Sequence, residues 1–358
     1  MDTLTSPYFW GRGYTNDGLE KAAAYLAGEL DNAGVLPLNG DTYFQPFSYS
    51  VNTFPGNMSV RINDRKMTPG VDFLIGEESK GIKYYEIPLY QMDSADLFYN
   101  EERKVVVELV EKLTWAPAPV QEAYTRVQIL KSSERKPELI SLDIDAEWIE
   151  DFRTVNVCGW VRGTQYPDSF LVITAHYDHL GGMGKMTYFP GANDNASGVA
   201  LMMNLAQYYA KNPLPYSVAF LAFSGEEIGL LGSEYFVHHP LIPLDRIRFL
   251  VNTDLAGNGD DGVTVVNATE FPVEFEYLQN INREKDLLAG VHPRGKARNS
   301  DHYYFTERGI PSFFIYTQGG IAAYHDIYDQ AETLPMNEHE DLFTLIKDFF
   351  EYLSAGSN

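Results

Sequence analysis

Apolar residues recur along this chain with two different periods. Between residues 17 and 34, Leu19, Ala23, Leu26 and Leu30 share one face, and that spacing predicts an amphipathic helix. Asp17 and Glu20 stand at its start in a capping-box pattern, and Gly34 follows as a stop. From about residue 43 to 130 the pattern shortens. Alternating pieces at 58–62, 83–89 and 104–110 are broken by Pro and Gly and are richer in charge, which predicts a small β-rich insert. Beyond residue 137, strand patterns at 139–144, 154–161, 170–175, 218–223, 249–252 and 312–317 alternate with helical ones at 195–210, 228–237, 272–285 and 337–353. The run at 170–175 is continuously apolar, as suits a strand buried on both faces. Pro272 stands at a first helical position, where its missing N–H costs nothing. Strands alternating with helices predict an α/β fold whose sheet is covered on both sides. The chain divides on this reading into an N-terminal helical part (1–42), a β-rich insert (43–135) and a main α/β part (136–358).

Composition narrows the picture. The 358 residues are 44% hydrophobic and carry a net charge of −23. Such acidity argues against a nucleic-acid partner, because phosphate binding needs a basic face, and it disfavours anionic membrane surfaces. No apolar run approaches twenty residues, so no membrane span is expected. Residues 1–7 lack the basic and apolar stretches of a signal peptide. The single cysteine, Cys158, lies in a strand-like run and reads as a small buried hydrophobe, which excludes a disulfide framework.

The residues able to carry chemistry follow predicted strands, where open α/β sheets place their ligands. His176 and Asp178, two apart in an extended segment, point the same way, so that the carboxylate can hold the ring N–H of a ligating His176. Asp194 precedes a helix among small residues that would let the backbone approach something bound. Glu226 and Glu227 follow an apolar strand. Two neighbouring carboxylates there are costly without a cation, and adjacent side chains project differently, so one can bind metal while the other serves as a base. Asp254 ends a further buried strand, and His325 is the candidate ligand of a later segment, with Asp326 and Asp329 in supporting roles. Two histidines and three carboxylates without a thiolate suit zinc in an open, catalytic site, and if one carboxylate bridges, five residues can hold two ions. His179, His238, His239, His292 and His339 have no partner pattern and read as surface or satisfied histidines. Lys296 and Arg298 read as solvated loop charges.

These segments, in this order, resemble the co-catalytic two-zinc exopeptidases of the MH clan, and among them the bacterial leucyl-type aminopeptidases. Glutamate carboxypeptidase, glutaminyl cyclase and the transferrin-receptor ectodomain are more distant relatives. The resemblance covers residues 139–335, with residues 10–38 matching more loosely. It implies a three-layer α/β/α zinc-exopeptidase fold with a mixed, mostly parallel central sheet, and two zinc ions as cofactors. Carried over, His176 and Asp254 bind one zinc, Glu227 and His325 the other, and Asp194 bridges. Glu226 is the general base and Asp178 orients His176. The resemblance also implies a cis peptide between Asp194 and Asn195, and places Ser300-Asp301-His302 near the substrate cleft. The reaction implied is release of N-terminal residues from peptide substrates by a hydroxide held between the zincs. The alternative is a carboxypeptidase or amidohydrolase on the same centre. It needs a cationic cluster for a substrate carboxylate, for which only Arg294, Lys296 and Arg298 are candidates. A third alternative, a metal-free binding protein, would have lost ligands that this chain keeps. A periplasmic or secreted location is expected from the resemblance alone.

Overall fold

A computed structural model describes residues 1–92 and 96–355. A nine-stranded sheet organises it. Its strands are β1 (Leu36–Pro37), β2 (Phe44–Thr53), β3 (Glu147–Val161), β4 (Tyr166–His176), β5 (Tyr216–Phe223), β6 (Ile247–Thr253), β7 (Val263–Val266), β8 (Val291–Pro293) and β9 (Ser312–Thr317). They run in the order β1-β3-β5-β4-β6-β9-β7-β8, with β2 also on β3. The four central strands β5, β4, β6 and β9 are parallel to one another, while β3 joins β5, and β7 joins β9, antiparallel. The sheet is therefore mixed with a parallel centre.

Period-two alternation sorts its side chains between two cores. Leu171, Ile173, Val218, Phe220, Phe249 and Val251 face one side with helices α1 (Gly18–Ala33), α2 (Gly198–Lys211), α4 (Pro272–Lys285) and α6 (His339–Ala355). Cys158, Val172, Ala219 and Leu221 face the other with α3 (Leu231–His238) and α5 (His302–Glu307). Three layers result. Each fully buried large apolar side chain contributes about 1.5–3 kcal/mol, so these two cores dominate the stability. Cys158 is buried, and burial pushes its thiol far above the usual range, so it has no thiolate to offer a metal or an oxidant.

Several elements differ from the sequence reading for local reasons. Asp17 occupies the N-cap position of α1 but adopts a left-handed conformation (φ 55°) and makes no side-chain cap. Gly34 does close the helix, its amide donating to the carbonyls of Leu30 and Asp31. The helix expected from residue 195 begins at Gly198, because Ala192–Ser197 forms a wide turn in which Asp194 and Asn195 leave helical geometry. The peptide between those two residues is cis. The helix expected from residue 228 begins at Leu231 after a turn through left-handed Leu230. Leu139–Ile144, read as opening the main α/β part, instead pairs with Met58–Ile62 and Ile82–Pro88. Conversely Phe44–Thr53, read into the insert, pairs along β3 in the central sheet. Arg65–Lys66 completes the small sheet around Leu139–Ile144, beside Met58–Ile62, and Phe73–Ile75, Thr125–Leu130, Val105–Val110, Leu97–Asn100 and Tyr90–Gln91 build a second one. Among the described residues no helix is long and apolar enough to cross a membrane.

Candidate metal centre

Three neighbouring parallel strands end at one place. β4 stops at His176, β5 leads through Ser224 and Gly225 to Glu226 and Glu227, and β6 leads directly to Asp254. The turn before α2 contributes Asp194, and the loop after β9 contributes His325. The crossovers thus gather residues from five distant segments at the carboxyl edge of the sheet.

Their geometry repeats itself. His176 Nε2 lies 3.3 Å from Asp194 Oδ1 and 3.3 Å from Asp254 Oδ1. His325 Nε2 lies 3.3 Å from Asp194 Oδ2 and 3.1 Å from Glu227 Oε2. Each imidazole nitrogen faces two carboxylate oxygens, and Asp194 gives one oxygen to each side. Donors about 2.1 Å from a tetrahedral zinc sit roughly 3.4 Å apart, so both spacings match edges of such a tetrahedron. Asp254 Oδ1 is buried with no hydrogen-bond partner, as expected of an atom that serves a cation. The charge balance agrees. Burial disfavours protonated His325, yet Glu227 and Asp194 push its pKa up to about 11. His176 is likewise pushed well up against burial, chiefly by Asp254 and Glu226. The cluster has more negative charge than its own side chains neutralise, and the donor set fits divalent zinc.

Glu226 stands beside these groups. Burial pushes its carboxyl well above the usual range, His176 opposes this, and Asp301, Asp254 and Glu227 add to it. Its main-chain N–H donates to Asp178 Oδ1 at 3.2 Å, and that of Glu227 to Asp178 Oδ2 at 3.3 Å. Asp178 therefore pins the Glu226–Glu227 turn. Its expected grip on the His176 ring is looser, because His176 Nδ1 is 3.2 Å from the Asp178 carbonyl and 3.7 Å from its carboxylate. Asp329 holds the bridging turn, accepting the N–H groups of Asn193 (2.8 Å) and Asp194 (3.0 Å). Ser300 donates to Asp254 Oδ2 at 3.1 Å, accepting in turn from Asn252. The small residues at the start of α2 serve strand contact: a Cβ on Gly198 would lie 2.6 Å from the Thr253 carbonyl.

Two residues enter that the sequence reading set aside or passed over. His179, read as having no partner, is fully buried, and its Nδ1 is 2.6 Å from Glu227 Oε1. With Asp194 and Glu227 it forms a second group of ligand-type atoms, all within 4.8 Å of one another, beside the group of His176, Asp194 and Asp254. Glu227 thus presents Oε1 to His179 and Oε2 to His325, and His325 Nε2 faces two carboxylates as His176 Nε2 does. The segment His176-Tyr177-Asp178-His179 carried the signal, since all three polar members lie at one strand end.

The other is Arg12, wholly buried behind the centre. Its guanidinium donates to the carbonyls of Tyr177, Pro190 and Gly191 at 2.9, 2.7 and 2.8 Å, and to those of Leu4 and Asp194 at 3.2 Å. Burial lowers its pKa to about 10, with Asp329, Asp194, Asp178 and Glu227 raising it. It ties the segment after β4 to the bridging turn and offsets the local negative charge. Arg12→Met strands five carbonyls and is expected to cost about 3–5 kcal/mol. Urea unfolding of the metal-free protein measures this, and a loss below about 1 kcal/mol would show that water replaces the guanidinium.

His302, in α5, is fully buried against Phe314, with ring centroids 5.4 Å apart, and neither ring nitrogen has a well-aligned partner. Burial drives its pKa from 6.5 down to about 3, with the Ala297 and Ser300 main chain opposing weakly. The unfolded chain takes up this proton below pH 6.5, while the folded ring stays neutral to about pH 3. Stability from this group is thus full above pH 6.5 and lost as the pH falls toward 3, by up to about 1.4 kcal/mol per unit. His302→Phe should flatten the acid limb of a Tm-versus-pH curve across that window. An unchanged limb would show that the ring is protonated in the native state.

The chain belongs to peptidase family M28, whose family model matches residues 156–349, over half of the chain. Aminopeptidase YwaD of Bacillus subtilis (strain 168) is 30% identical over 154 residues, 42% of this chain and 32% of that protein. A probable zinc metalloprotease of Leptosphaeria maculans is 36% identical over 114 residues, 31% of this chain and 26% of that one. The chain thus matches about a third or less of the length of these curated relatives. Among solved structures, BSAP, a zinc aminopeptidase from Bacillus subtilis, superposes with a TM-score of 0.71 at 19% identity, covering 98% of this chain and 93% of that one. An aminopeptidase from Aneurinibacillus sp. strain AM-1 gives 0.64 at 19% identity, covering 96% and 89%. At these identities the likeness establishes the fold.

Proposed function

We propose that this chain is a zinc-dependent exopeptidase that releases N-terminal residues from peptides. The observation that carries the reading is Asp194, whose two carboxylate oxygens each pair with a different imidazole, 3.3 Å from His176 Nε2 and 3.3 Å from His325 Nε2. His176, Asp254 and one oxygen of Asp194 would hold one zinc. His325, Glu227 and the other oxygen would hold the second. When bound, the pair supplies Lewis acidity toward the scissile carbonyl and acidifies water toward neutral pH.

The protein's own groups do the rest. Glu226 takes the proton from the attacking water and gives it to the leaving amine. Its burial raises its basicity toward the working pH, where a general base is most effective. Asp178 fixes the main chain of Glu226 and Glu227, so that the base keeps its distance from the bridging carboxylate.

Two further observations support release from the amino end. YwaD and BSAP are both named as aminopeptidases. The cations that a substrate carboxylate would need are engaged elsewhere: Lys296 pairs with Glu307, Arg298 donates to the Tyr304 hydroxyl at 2.9 Å, and Arg294 to that of Tyr316 at 3.0 Å. A panel of aminoacyl anilides and C-terminal glutamyl peptides, assayed with and without a chelator, tests the proposal. Chelator-sensitive anilide hydrolysis is expected. Cleavage of only the C-terminal glutamyl peptides would transfer the chain to the carboxypeptidase reading.

A further inference from the structure

His325 sits on a loop that its own strand does not hold. The residue adopts a left-handed conformation (φ 53°), uncommon for a side chain with a Cβ, so something beyond local preference must fix it. Within the loop, Asp326 accepts the N–H groups of Tyr324 at 3.4 Å and Tyr328 at 2.9 Å, and further contacts come from the β-rich middle segment. Lys112 Nζ donates to the carbonyls of Ala322 at 2.9 Å and Tyr324 at 3.2 Å, and pairs with Asp326 Oδ2 at 3.2 Å. The main-chain N–H of Trp115 donates to the His325 carbonyl at 3.1 Å. Trp115 is itself anchored: its indole donates to the Ile75 carbonyl at 2.9 Å and stacks on Phe189 at 5.3 Å. On the far side of His325, Ile327 packs against the core of the middle segment. A Cβ on Gly70 (φ +81°) would lie 2.9 Å from Ile327 Cγ2, so the approach there depends on glycine.

We propose that the middle segment is a working part of the metal centre, with Lys112 as a positioning residue that sets His325 for the second zinc. This rests on the reading of His325 as a ligand. Lys112 ties together Ala322 and the two residues flanking His325, Tyr324 and Asp326, and the Trp115 amide holds His325 itself. The His176 and Asp254 site, built at the ends of β4 and β6, receives no contact from Lys112. The inference therefore makes a site-selective demand: loosening Lys112 or the Gly70 contact weakens one zinc and spares the other.

The test titrates Zn²⁺ into the chelator-stripped 358-residue chain by calorimetry, with Tm recorded in parallel. In Lys112→Met, one of the two binding steps should weaken about 10-fold or more, the range typical of lost partners behind a ligand, while the other step stays as in the wild type. Lys112→Arg should recover part of the loss. Gly70→Ala, acting from the opposite side of the loop, should weaken the same step. His325→Ala should weaken that step further, and adding Lys112→Met to it should change nothing more, because lysine acts through the histidine. The proposal is overturned if both steps in Lys112→Met match the wild type, if both weaken equally alongside a fall in Tm, or if the double variant loses more than His325→Ala alone. If His325→Ala itself retains both steps, the assignment of His325 as a ligand fails, and this inference falls with it.

Discussion

Glu226→Gln is expected to lower kcat by about 10²–10⁴-fold, the range for a positioned general base, with both zinc ions still bound. Glutamine preserves the shape of the side chain and leaves the backbone contact to Asp178 in place, yet it cannot accept a proton. Because Glu226 is not among the residues facing the two imidazole nitrogens, zinc content should stay near that of the wild type. The separation of the two readouts is what assigns the role. Reduced zinc together with reduced rate would make Glu226 a ligand, and near-full activity would remove it from the chemistry. A parallel fall of kcat and kcat/KM identifies an interaction made in the transition state.

Asp194→Ala is expected to abolish activity by releasing both ions at once. Among the described residues Asp194 is the one carboxylate that meets both His176 and His325, so its removal takes a carboxylate oxygen from each imidazole and the neutralising charge between them. The fold should survive, because the main chain of the turn is held independently by Asp329 and by Arg12. Asp254→Ala and Glu227→Ala supply the contrast, since each takes a carboxylate from one imidazole only. Metal analysis after dialysis should find close to no zinc in Asp194→Ala and about half the wild-type content in the other two. Equal loss across the three variants would mean that the sites are not joined through Asp194.

Much of this centre was legible in the chain because strand ends mark ligand positions in parallel sheets. His176, Glu226, Glu227 and Asp254 each end or follow a buried apolar run, and Asp194 lies in the turn that precedes a helix. What stayed hidden depends on contacts between distant segments. Arg12 lies in an N-terminal stretch whose value comes from carbonyls of residues 177–194, and no local pattern reports that. His179 looked unpartnered because Glu227 lies 48 positions away. Lys112 carries no local signal and its side chain is half exposed, although its three contacts are with the His325 loop. The alternation at Leu139–Ile144 gave the strand but not its sheet, since period two is the same whichever neighbours complete the ladder. Strand–helix alternation predicted an α/β sheet covered on both faces, and the structure shows it. Exact helix starts failed where Asp194 and Leu230 leave helical geometry.

The central claim is a pair of cations joined by one aspartate, and diffraction at the zinc absorption edge from crystals of the zinc-loaded protein tests it directly. The account predicts two anomalous peaks on either side of the Asp194 carboxylate, one against His176 and Asp254 and the other against His325 and Glu227. A single peak, or peaks away from Asp194, would contradict it.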